Sequence, residues 1–114
     1  MNNRQPIIVV VDPDADRATR LSSRLDRRGY HVVRRSSGTD ALQCVAEYRP
    51  DLVLSVDKVL DVESPELIHS IREISPSTRV LLIPGQESSP PLPEGDEVVH
   101  AVERLLDRTP SATF

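Results

Sequence analysis

The chain has 114 residues, which suits one domain with a modest core and leaves no room for a second functional domain. Its apolar share is 38%, with Tyr30, Tyr48 and Phe114 as the aromatics, so the core is expected to be Val, Leu and Ile, with no aromatic platform for stacking single-stranded nucleic acid. The 14 basic residues are scattered among 18 acidic ones for a formal charge of -4, which leaves no basic block to track a phosphate backbone, and nucleic acid is not an expected partner.

Residues 7–11, Ile-Ile-Val-Val-Val, are an uninterrupted β-branched run ending at Asp12, the pattern of a strand covered on both faces in a parallel sheet. In residues 14–28 the apolar positions Ala18, Leu21 and Leu25 recur at three- and four-residue spacing, and Gly29 follows where helices commonly stop in the left-handed conformation. The spacing predicts an amphipathic helix with a basic outer face, with Asp14 as its cap.

Residues 30–33 are a short strand candidate. Ser36, Ser37, Gly38 and Thr39 then supply turn and capping chemistry before Ala41, Leu42, Val45 and Ala46 resume a helical stripe that Pro50 ends. Residues 52–56 form a second buried-strand run. Ser64 as cap, Pro65 in the first turn and Glu66 near the positive dipole end mark a helix start, with Leu67, Ile68, Ile71 and Ile74 directed at the sheet.

Residues 80–83 are a further strand that stops at Pro84-Gly85, and residues 86–95, rich in Ser, Pro, Glu and Gly, are expected to be a loop. A last helix places Val98, Val99, Val102, Leu105 and Leu106 on one face. We expect one domain over residues 1–108 and a polar tail over residues 109–114. The order of elements predicts an α/β fold, a flavodoxin-like doubly wound parallel sheet with helices on both faces and the first strand central.

The strings VVVDPDADR, RGYHVV, RPDLVLSVD, ELIHSIREISP and RVLLI, in this order and spacing, resemble the receiver domain of bacterial response regulators over about residues 6 to 84, and PEGDEVVHAVERLL resembles the family's last helix. The resemblance implies a cytoplasmic domain of two-component signalling with a site at the strand carboxyl ends. There carboxylates hold Mg²⁺, an aspartate accepts a phosphoryl group, and a lysine steadies the product.

Several of those positions are substituted. The acidic pair after the first strand falls on Asp12 and Pro13, so one carboxylate is lost. The phosphoacceptor position falls on Val56, with Asp57 one residue later, where strand alternation turns the carboxylate away unless a bulge re-aims it. The hydroxyl residue ending the family's fourth strand is replaced by Pro84, and the segment SSPPLP lacks the family's lysine; Lys58 is the chain's single lysine. The family's fourth helix and fifth strand are expected to be reduced or missing, leaving an under-covered strand edge that a second copy of the chain would cover.

The leading expectation is a receiver-like domain that works independently of phosphorylation by binding another signalling or regulatory protein. Two alternatives stand beside it: a divergent phosphoacceptor using Asp57 with Asp12 as the Mg²⁺ ligands, and a nucleotide or small-molecule sensor in the crevice at the strand carboxyl ends.

His31, His69 and His100 lie in separate elements without ligand spacing, Cys44 has no companion for a disulfide, and the run Pro90-Pro91-Leu92-Pro93 reads as a stiff linker before a polyproline ligand. No apolar run is long enough to span a membrane, and no glycine-rich phosphate loop, nucleophile elbow or carboxylate pair supports an enzyme.

Overall fold

A computed structural model describes residues 5–56, 61–83 and 96–106. The chain alternates strand and helix: β1 (Ile7–Val11), α1 (Ala15–Asp26), β2 (His31–Arg35), α2 (Gly38–Tyr48), β3 (Leu52–Val56), α3 (Ser64–Ile74), β4 (Arg79–Ile83) and α4 (Asp96–Leu105). The four strands form one parallel sheet in the order β2-β1-β3-β4, with Val9 opposite Val33 on one side and Val53 on the other.

That order follows from handedness. The step from β1 to β2 and the step from β2 back across to β3 run in opposite directions, so right-handed crossovers put α1 on one face and α2 on the other. The step from β3 to β4 continues in the second direction and puts α3 beside α2, which it contacts. On the other side the Arg28–Glu103 ion pair, 2.9 Å, ties α4 to the end of α1.

Both central strands are apolar except for the buried Ser55, because helices cover both of their faces. Ile8 to Val11 and Leu52 to Leu54 are almost fully buried, while the edge strand β2 tolerates His31 and Arg34 at exposed positions. Strand β2 begins one residue later than the sequence pattern predicts and runs on through Arg35. Tyr30 lies outside the strand and fills the core beneath α1 with 1% exposure.

Local chemistry sets the helix ends. Asp14 caps α1 by accepting from the Arg17 backbone N–H at 3.1 Å, and Gly29, at φ 92°, makes the left-handed turn into β2. Ser37 caps α2 by accepting from Asp40 N–H, also at 3.1 Å. In helix α3 Pro65 stands in the first turn as expected, but Ser64 is the first helical residue and not the cap, and the cap position falls on Glu63, which makes no side-chain cap bond. A proline in the first turn presets the helical φ, which supports the start without a capping side chain.

Buried polar groups are tied into the scaffold. The Thr78 hydroxyl donates to the Pro50 carbonyl at 2.6 Å, so the Ser75 hydroxyl is the donor in its 2.7 Å contact with Thr78. Together they lock the α3–β4 turn onto the α2–β3 corner. At the opposite side of the same corner, the Asp51 carboxylate accepts from Ile7 N–H at 2.8 Å and fixes the start of β1 beside β3.

Strand β4 is less well covered. Val80, Leu81 and Leu82 are half-buried, and among the described residues no strand pairs with its outer edge. Neither a helix nor a strand stands between β4 and α4 among the described residues, in keeping with the expected reduction of the family's fourth helix and fifth strand; residues 84–95 are outside them. No helix among the described residues is long and apolar enough to cross a membrane.

Candidate functional site

In a doubly wound sheet the crevice opens at the carboxyl ends of the strands, where the strand order reverses. Here that is the gap between β1 and β3. Val11 pairs with Ser55, so Asp12, the next residue along, follows β1 into this crevice.

Asp12 is 3% exposed, and both of its carboxylate oxygens are taken. Oδ2 accepts from Arg17 Nε at 2.6 Å, and Oδ1 accepts from Arg17 Nη2 at 2.7 Å and from the Asp14 backbone N–H at 2.9 Å. The two guanidinium bonds form a bidentate fork, the geometry in which arginine and carboxylate bind most strongly. Arg17 is itself only 8% exposed, and its hydrogen bond to Asp12 raises its pKa further above the ordinary arginine value.

Helix geometry puts Arg17 there. It is the third residue of α1, one turn past the cap, and side chains in a helix lean back toward its N-terminus. The guanidinium therefore reaches back over the helix start to the end of β1. Asp14 is committed to that same helix start, accepting from Arg17 N–H, and Pro13 is exposed with no side-chain oxygen to offer.

On the β3 side, Val56 is 1% exposed and packs as core, and the Ser55 hydroxyl donates to the Val56 carbonyl at 2.8 Å. Asp57, Lys58 and Pro84 lie outside the described residues. Beyond them Asp61 turns back to the other loop: its Oδ1 accepts from Gly38 N–H at 2.8 Å, and its Oδ2 accepts from the Thr39 hydroxyl at 2.7 Å and from Thr39 N–H at 3.1 Å. These bonds, the Thr39 hydroxyl first, lower the Asp61 pKa to about 2.

The sequence reading singled out neither Arg17 nor Asp61. For Arg17 the signal was its place in the first turn after a strand-ending aspartate; for Asp61 the sequence carries none. The three histidines are exposed on separate elements, and the described residues hold no group of three His, Cys, Asp or Glu placed for a metal.

No family profile matches the chain. It is 33% identical over 88 residues to the transcriptional regulatory protein ZraR of Klebsiella oxytoca, covering 77% of this chain and 20% of that protein. The transcriptional regulatory protein GlrR of Escherichia coli (strain K12) is 27% identical over 90 residues, covering 79% of this chain and 20% of that protein. Among solved structures, the signal receiver domain of an HD domain-containing protein from Pseudomonas fluorescens Pf-5 superposes with a TM-score of 0.80 at 24% identity, covering 91% of this chain and 96% of that one.

The chain belongs to the response regulator receiver domain family. It spans about a fifth of the length of the two transcriptional regulators, so the likeness concerns the receiver domain and not their remaining parts. Its flavodoxin-like sheet is the receiver fold. Within that fold the receiver's strand-end crevice here carries an arginine–aspartate pair, a proline and a buried valine.

Proposed function

We propose that this receiver domain signals independently of phosphorylation, by presenting its folded surface to another signalling or regulatory protein in the cytoplasm. The observation that carries the reading is the state of Asp12: both oxygens are engaged, Oδ2 by Arg17 and Oδ1 by Arg17 and the Asp14 N–H, beside Pro13 and opposite the buried end of β3. Phosphoryl transfer to a carboxylate depends on a cation that neutralises the entering group. A carboxylate already paired with a guanidinium and hydrogen-bonded at both oxygens is poorly disposed to recruit one.

The test is incubation with a small phosphodonor and Mg²⁺ followed by intact-mass and peptide mass spectrometry. We expect no acyl-phosphate. A stable phosphoryl group on Asp57 would overturn the proposal and establish a divergent phosphoacceptor in its place.

A second copy of the chain is a further partner that we propose, over the half-buried β4 flank of Val80, Leu81 and Leu82, because apolar strand edges favour pairing. Light scattering at rising concentration is expected to reveal a dimer, and a monomer throughout would remove it.

A further inference from the structure

The receiver family implies a divalent cation at the strand ends, and the residues here can be tested against it. Mg²⁺ requires near-octahedral oxygen ligands at roughly 2.1 Å. Both Asp12 oxygens face the Arg17 fork, and Oδ1 also accepts from the Asp14 N–H. Asp14 Oδ1 is held by Arg17 N–H, Pro13 has no side-chain ligand atom, and the Ser55 hydroxyl is turned to the Val56 carbonyl. Among the described residues, this set of side chains does not fit Mg²⁺.

What stands beside Asp12 is a charge of the right sign already in place. The guanidinium is always protonated, it is 8% exposed, and it meets the carboxylate through two short parallel bonds. A cation taking Asp12 as its ligand would have to break this fork.

We infer that Arg17 is a built-in counterion, holding Asp12 neutralised from within the chain and making the crevice indifferent to divalent cations. The inference rests on reading the strand ends as the relic of a phosphoacceptor site. It adds a cause to the loss of cation chemistry: Pro13 removed one ligand, and Arg17 closed the other. Restoring the lost acid alone therefore does not restore the site.

The test uses Mn²⁺ as probe, with free Mn²⁺ read by electron paramagnetic resonance, on the full chain as wild type, Pro13→Asp, and Pro13→Asp with Arg17→Gln. Wild type and the single variant are expected to leave millimolar Mn²⁺ free, and the double variant to bind about tenfold tighter or better than the single one. A single variant that binds as tightly as the double one overturns the inference.

Circular dichroism checks that each variant folds, and a second measurement on the wild type covers the case in which the double variant does not. The Arg17 Nε–H resonance should stay in place as Mg²⁺ rises to millimolar levels and lose its distinct position in Asp12→Asn. A Mg²⁺-dependent shift of that resonance overturns the inference. An acyl-phosphate on the wild type with the Arg17 resonance unmoved by Mg²⁺ would count against the phosphorylation-independent reading alone, and a Mg²⁺-dependent shift without an acyl-phosphate against this inference alone, so the two failures are distinguishable.

Discussion

Asp61, just before α3, holds Thr39, at the start of α2, through both its hydroxyl and its backbone N–H, and so joins two loops that are 22 residues apart in the chain. The carboxylate also sits at the positive end of α2, where negative charge is favourable.

This clamp titrates. The Asp61 pKa is lowered from 3.8 to about 2 in the folded chain, so the folded state favours the ionised form. The stabilisation is complete above about pH 4 and is lost as pH falls toward 2. Urea melts of wild type and Asp61→Asn should differ above about pH 4 and converge near pH 2. A difference that stays constant across that window would remove Asp61 as the titrating group.

The same joint needs a glycine. A Cβ at Gly38 would lie 2.8 Å from Val62 Cγ2 and 2.9 Å from Val62 Cβ. Gly38→Ala is expected to cost about 1–3 kcal/mol by overpacking. Adding Val62→Ala should recover part of that loss, as read from the urea midpoint; no recovery would mean that the loss arises elsewhere than at Val62.

Removing one half of the Asp12–Arg17 pair strands a buried charge. Arg17→Met should cost about 3–5 kcal/mol in denaturant unfolding. Combining it with Asp12→Asn, which keeps an oxygen for the Asp14 N–H, should recover most of that loss. Equal destabilisation by the single and double variants would show that Arg17 contributes packing and not charge.

Cys44 is 1% exposed in α2, and burial raises the pKa of its thiol. Thiolate is the reactive form, so a disulfide reagent should leave the native protein unmodified over the time in which the urea-unfolded chain is fully labelled. Prompt labelling of the native protein at neutral pH would contradict this.

The scaffold was legible in the sequence because its two central strands are short apolar runs with helix-period segments between them. Residues 7–11 and 52–56 match β1 and β3 as they stand, and the Asp14 cap follows from an aspartate preceding the first helical turn. The edge strand was harder: Arg34 and Arg35 weaken its apolar pattern, and an edge exposed to solvent permits them. The crevice was half legible. That Pro13 and Val56 stand where the family's acidic residues do could be read by position, but the occupation of Asp12 by Arg17 depends on which way a helical side chain leans. The Asp61 clamp depends on two loops meeting only after the sheet has formed.

Strand β1 has a consequence during synthesis. It is made first, yet it lies between β2 and β3, so its Ile-Ile-Val-Val-Val run has no complete set of partners until Leu52–Val56 has left the ribosome. At roughly 5–20 residues per second, that wait is on the order of seconds. Over this interval an apolar β-branched stretch keeps one edge unpaired, and a nascent chain stalled between β2 and β3 should be the species that a chaperone holds longest.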